Sequence, residues 1–391
     1  MDTLFIQFYS KIDRMLSFEL GNGFSDTYDL CKSKGDFIWM DHVHDYLDKI
    51  EYSSEFPISK GTAYISVSYL SQLYRVLVWA KRYPDVKFIA GGPVVTTGLV
   101  TDYETPNNMI ITKKSVEEWF GVENFSGRWN LDIPSTIKDD ELINFSYTID
   151  NMCYWRKCTF CTFTESRHVP RVRERKNIKC EFQDIKRKGS MIIRLGTEAL
   201  GPNKISHVVK ALPYNEKRPY RSFLRPSLPE LNALKNIKED LSIIKFRMGV
   251  ELPGNRMWKL MRKGFREEVV LEILNVLHKA NSKFFFSMVL GWNNLISSDI
   301  KALENFMKSV PGSEGCGVTI HRLFAFPGTD VFKTHEVDRD YYSGPFYLGY
   351  TPKLKKEQLE LNKKAKEIII HYTEEKKMHF TDLCDLEDVD V

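Results

Sequence analysis

Three of the chain's seven cysteines fall within nine positions, Cys153, Cys158 and Cys161, in the stretch NMCYWRKCTFCTF. In a reducing compartment, thiols spaced this closely hold a metal or cluster more readily than they form disulfides, and seven is an odd number to pair. Three thiolates leave one position open on a tetrahedral zinc, or one corner open on a 4Fe-4S cube. A structural zinc would need a fourth protein ligand, and His168 stands seven residues beyond Cys161. Three unrelated core cysteines fit less well, because the charged pair Arg156-Lys157 lies between the first two.

The elements around this cluster alternate between strand and helix patterns. TLFIQFY, TAYISVSYL, KFIAGGP and MIITKK are short apolar runs separated by amphipathic stretches such as QLYRVLVWAKRYP, as βαβ units on a parallel sheet require. Residues 1–120 therefore read as a Rossmann-like domain. Residues 121–143, with Gly121, Gly127 and Pro134 and no long apolar period, read as a linker. From residue 144 to about 340 the alternation returns: FSYTI, MIIRLG, RSFLRP, IKFRMGVEL, KFFFSMVLG and GVTIHRLFAF are strand-like, with helical periodicity between them. That number of β/α units predicts an α/β fold with a partial (β/α)6 barrel, and the cysteines follow its first strand on the face where such barrels place their chemistry. Residues 341–391 form a C-terminal extension: one long charged helix, then the acidic tail DLEDVDV.

The cysteine stretch resembles the cluster motif of radical S-adenosylmethionine enzymes, with four residues rather than the usual three between the first two cysteines. One extra loop residue costs little closure entropy. The resemblance implies that Cys153, Cys158 and Cys161 bind three irons of a 4Fe-4S cluster. The fourth iron would then be chelated by S-adenosylmethionine, and reductive cleavage would release a 5′-deoxyadenosyl radical. It also places Phe160 near the adenine, Gly196, Thr197 and Glu198 at the ammonium group, Glu251 near the ribose, and Arg225 at the carboxylate as a two-point clamp. NRMWKLMRKGF and FAFPGTDVF resemble further family segments, whereas Trp292-Asn293 replaces a proline-containing turn.

The N-terminal region resembles the cobalamin-binding domain that precedes the radical domain in a large subgroup. Ser66, Gly91 and Gly92 match positions that line the nucleotide-tail pocket there. The Asp-x-His-x-x-Gly signature that supplies the cobalt ligand is absent, and Asp41-His42-Val43-His44 has the wrong spacing. The missing ligand weighs against cobalamin, and the retained serine and glycines weigh for it.

Of the isolated cysteines, Cys316 and Cys384 are candidate hydrogen-atom donors, by resemblance to radical peptide epimerases. Cys384 lies in an acidic tail whose composition is not that of a core. The leading expectation is hydrogen abstraction from a ribosomally made peptide or a small natural product, with epimerisation as one outcome and an electron donor such as flavodoxin or ferredoxin. A cobalamin-dependent methyltransferase is the alternative, and a zinc-stabilised, non-catalytic binding protein is a remote one. A formal charge of +4 with scattered basic residues gives no nucleic-acid footprint beyond the cluster RHVPRVRERK. No apolar stretch approaches the roughly eighteen residues of a membrane span, and the N-terminus lacks a secretory pattern, so a cytoplasmic location is expected.

Overall fold

The computed structural model describes residues 3–12, 17–20, 28–41, 55–67, 70–92, 95, 105–122, 137–138, 142–147, 153–161, 191–212, 220–312, 314–326, 328–339, 350–384 and 386. The expected linker falls largely outside these, as do His42, His44, His168, Cys180 and the basic cluster 167–176. The chain divides into two compact units, one mainly residues 1–148 and the other mainly 149–179, 194–340 and 349–391.

In the first unit, β1 (Thr3–Ile12) is followed by β2 (Ser17–Leu20), which pairs antiparallel with its end. β3 (Asp36–Asp41), β4 (Gly61–Ser66), β5 (Val86–Gly91) and β6 (Met109–Ile111) complete a parallel five-strand sheet ordered β3-β1-β4-β5-β6. A further strand, β7 (Leu142–Tyr147), runs parallel to β2. The helices are α1 (Tyr28–Lys34), α2 (Leu70–Arg82) and α3 (Val116–Phe120). Helix α2 buries Leu73, Val76, Leu77 and Ala80, one face at helical spacing, in a core with Ile6, Ile65 and Phe88.

The sheet of the second unit runs β8 (Met191–Leu200), β9 (Tyr220–Leu224), β10 (Ile244–Glu251), β11 (Phe284–Leu290) and β12 (Gly317–Arg322), with parallel pairing from β9 onward. Between strands lie α4 (Pro202–Val209), α5 (Leu228–Lys235), α6 (Asn255–Leu260), α7 (Glu267–Lys279) and α8 (Ser297–Ser309). After β12 come α9 (Asp330–Thr334), a small antiparallel pair of β13 (Val337–Arg339) and β14 (Tyr350–Pro352), and the long helix α10 (Lys356–Glu375). This is the partial β/α barrel that the alternation predicts.

Strands β2, β3, β13 and β14 were not among those read from the sequence, and two further features differ. Strand β8 does not stop at Gly196 but continues through Gly196-Thr197-Glu198 to Leu200. The C-terminal segment is not only a helix and an acidic tail: HFTDL forms β15 (His379–Leu383), which pairs in parallel with β12. Its side chains are largely exposed, so no buried apolar face marked it as a strand. No helix among the described residues is long and apolar enough to cross a membrane.

Candidate metal centre

The three cysteines sit on a loop held by peptides that follow the strands. The Thr159 N–H donates to the Met261 carbonyl at 3.1 Å, and the Trp155 indole Nε1–H donates to the Arg262 carbonyl at 2.7 Å. From the start of α9, the Val331 N–H donates to the Thr159 carbonyl at 3.0 Å. Met261 to Gly264 thus form a shelf beyond the carboxyl end of β10, and the loop rests on it. Arg156, within the four-residue spacer, takes a left-handed φ of 50°. That conformation, unusual outside glycine, is where the longer spacer turns.

Trp155 is the wedge of this arrangement. Gly264 has φ 63°, and a Cβ there would lie 2.8 Å from the Trp155 ring, so the glycine leaves room for the indole. The Arg225 guanidinium lies over the same ring, 3.7 Å from its centroid, and its Nη2 donates to the Lys263 carbonyl. Burial pushes the Arg225 pKa down to about 10, opposed by Cys158 and then Cys153. Arg225 therefore braces the cysteine loop, an engagement the carboxylate-clamp reading did not anticipate. The turn after it is fixed in turn: the Ser227 N–H donates to the Arg225 carbonyl at 2.9 Å, and the Ser227 hydroxyl donates to Glu230.

Beneath the thiols lies a buried ion pair, Lys263 Nζ to Glu251 Oε1 at 2.7 Å, with the two residues 8% and 6% exposed. Glu251 has φ 64° and follows a register shift in β10 against β11. A Cβ at Gly249 would stand 2.5 Å from Glu251 Oε1, so the Gly-x-Glu pattern is the space the carboxylate needs. Burial opposes the charge on Lys263, but Glu251, Cys158 and Cys161 outweigh it and raise the Lys263 pKa. Burial also pushes the Cys158 thiol up, with Lys263 pulling it back. Burial on balance keeps this thiol protonated, while the Lys263 ammonium beside it would favour the thiolate that a bound cation needs.

Phe160, between the last two cysteines, meets Trp292 edge to face with centroids 5.9 Å apart. The substitution at the expected proline turn thus supplies the partner ring. Asn362 of α10, fully buried, fixes that turn: its Oδ1 accepts from the Gly291 and Trp292 N–H groups at 2.7 and 3.3 Å, and its Nδ2 donates to the Trp292 carbonyl at 2.9 Å.

The donor set suits a cubane. Cys153, Cys158 and Cys161 are half-buried thiols outside any disulfide, and the Cys161 N–H donates to the Cys158 carbonyl at 3.2 Å. Lys263 and Arg225 provide cationic flanks for the charge that three thiolates and a cluster would bring. Among the described residues, no three His, Cys, Asp or Glu side chains gather about one point as a single-ion cage. A cubane takes one thiolate per iron and needs its ligands further apart.

The remaining predicted residues fall as follows. Gly196, Thr197 and Glu198 lie within β8, and their side chains lie outside the described set. In the first unit Ser66 is buried at the end of β4, with Gly91 and Gly92 at the end of adjacent β5. Gly92 has φ 113°, and a Cβ there would meet the Val67 carbonyl at 2.7 Å, so the glycine pair is required first by chain packing. Cys316 and Cys384 are both buried, at 1% and 3% exposed. The expectation that an acidic tail keeps Cys384 out of a core is corrected: Lys366 donates to its carbonyl and pairs with Asp382, which neutralises local charge and lets the thiol turn inward. Lys263, Trp155 and Asn362 were missed in the sequence. For Lys263 the signal was its place before Gly264 in NRMWKLMRKGF, twelve positions after Glu251.

No protein-family profile and no curated protein matches the chain. Solved structures do, and they define the fold class: that of radical S-adenosylmethionine enzymes in which a Rossmann-like sheet precedes a partial barrel. A radical S-adenosylmethionine methyltransferase from Kitasatospora setae, TsrM, with cobalamin and a [4Fe-4S] cluster bound, aligns with TM-score 0.65 at 10% identity, over 99% of this chain and 94% of its own. OxsB, a cobalamin-dependent S-adenosylmethionine radical enzyme, aligns with TM-score 0.58 at 13% identity over 82% of this chain. The match spans about half of OxsB, 53% of its length.

Proposed function

We propose that the chain is a radical S-adenosylmethionine enzyme of the cobalamin-dependent kind. The observation that carries this reading is a three-cysteine loop seated at the carboxyl ends of parallel strands, in a fold shared over nearly its whole length with a cobalamin-bound methyltransferase. A reduced 4Fe-4S cluster, when bound, supplies one electron to split S-adenosylmethionine into methionine and a 5′-deoxyadenosyl radical. The protein's own work is to hold and orient. Cys153, Cys158 and Cys161 would bind the cluster, Lys263 and Arg225 would stabilise its charge, and Phe160 against Trp292 would wall the nucleoside from water. The electron would come from a donor such as flavodoxin or ferredoxin.

The peptide-modifying reading, which the sequence placed first, gains nothing from the comparisons; both relatives support the cobalamin-dependent alternative. Cobalamin would lie along the edge where Ser66, Gly91 and Gly92 converge, with no cobalt ligand from the absent Asp-x-His-x-x-Gly motif. A thiol donor, if the reaction uses one, would be Cys384 rather than Cys316. Cys384 follows β15, at the same end as the cysteine loop, whereas Cys316 precedes the parallel strand β12.

Anaerobic purification tests the reading. The expected sample is brown, holds close to four irons and four sulfides per chain, releases 5′-deoxyadenosine with a strong reductant, and retains cobalamin stoichiometrically by visible absorbance. Colourless protein with one zinc would overturn it. A functional cluster without cobalamin retention would restore the cobalamin-independent reading.

A further inference from the structure

We propose that the concave face of the barrel sheet binds its substrate through an oxyanion group, a phosphate or a carboxylate, gripped by Arg221, Lys245 and Arg247. This rests on the radical reading above and adds the chemical class of the substrate.

Strand alternation places these cations. On β9, Tyr220, Ser222 and Leu224 are buried under the helices, which leaves Arg221 and Phe223 on the other face. On β10 the buried set is Ile244, Phe246, Met248 and Val250, so Lys245, Arg247 and Gly249 share the opposite face. Lys245 pairs with Arg221 in register, and Arg247 pairs with Phe223 on one side and Phe285 on the other. Two guanidinium groups and an ammonium therefore occupy neighbouring positions, flanked by two aromatic rings.

The same face leads to the thiols. His321 on β12 feels both the Glu251 carboxylate and the Arg247 charge, and Cys158 feels Glu251. Arg247 and the Glu251 carboxylate beside the thiols thus both lie within electrostatic reach of His321. Among the described residues no carboxylate pairs with Arg221, Lys245 or Arg247. Burial lowers the pKa of all three, and like charge lowers each further: Arg247 and Arg194 act on Arg221, Arg221 and Lys283 act on Lys245, and Arg194 acts on Arg247. Cations gathered at this spacing on a concave wall, Arg221 and Lys245 half-buried and Arg247 exposed, focus a positive field. A planar guanidinium pair matches two oxygens of one phosphate or carboxylate.

The test is calorimetric titration of the full-length, anaerobically reconstituted protein with inorganic pyrophosphate and, separately, with succinate. Wild-type protein should bind at least one of them. The double variant R221Q/R247Q should bind at least tenfold more weakly, and R221K/R247K should fall between, since charge survives and the planar fork does not. The probe that binds more tightly separates phosphate from carboxylate. Melting curves confirm folding, and if the Gln variant unfolds, the Lys variant carries the comparison. Equal affinity in wild type and folded variants, or no binding of either probe by wild type, overturns the proposal. Release of 5′-deoxyadenosine by wild-type protein is scored independently. If that fails while anion binding still falls in the variants, the radical reading is wrong and the anion site stands.

Discussion

Among single residues, the buried pair Lys263–Glu251 has the largest consequence. Removing one partner strands a charge away from water, so Lys263→Met should destabilise the fold by about 3–5 kcal/mol in urea denaturation. Adding Glu251→Gln should recover much of that, because a buried amide costs less than a buried carboxylate. Glu230 offers a pH test. It is fully buried, and its Oε1 has no hydrogen-bond partner among the described residues. Burial pushes its pKa up to about 7. The folded state therefore keeps a proton that the unfolded chain releases near pH 4. The associated stability is complete below about pH 4, declines as pH rises through 7, and is gone above. Glu230→Gln should flatten that slope by something on the order of 3 kcal/mol between pH 4 and 8, and equal slopes in both proteins would refute it.

At the scale of elements, the loop and its shelf act as one piece. Gly264→Ala adds a Cβ where the Trp155 ring sits, at a φ that disfavours any side chain. The variant should retain less iron after reconstitution even if its helices are intact by circular dichroism. Asn362→Ala removes three buried hydrogen bonds to the Gly291-Trp292 turn, and a loss of about 2–4 kcal/mol is expected, with a lower melting temperature. These elements also mark how far the sequence could be read. The strands were legible because their apolar runs alternate cleanly with helical periods. The cysteine loop and Glu251 stood out because three thiols within nine positions and a Gly-x-Glu pattern are tight local signals, although the pairing of Glu251 with Lys263 was not among the expectations. Asn362 was not, since one amide in a charged helix differs from a solvated one only through a turn 70 residues away. Strand β15 lacked a buried face, and Arg225's stacking on Trp155 is a tertiary fact with no local signal.

For the whole molecule, the fold match covers both units, and each has a separable expectation. A ligand that binds only the folded state raises the melting temperature by mass action. Reconstitution with iron and sulfide should therefore stabilise the second unit, and exposure to air should reverse the gain. Cobalamin should protect backbone amides near Ser66 and Gly92 from hydrogen exchange while leaving those at Met261 to Gly264 unchanged.

The anchoring of Trp155 on a carbonyl 107 residues further along bears on biosynthesis. On the ribosome, the three thiols emerge long before the peptides that seat them have been translated. Through that interval they belong to a nascent chain, open to oxidants and to scavenged zinc. Any cluster those thiols hold would therefore find its seat only after residues 261 to 264 have been added.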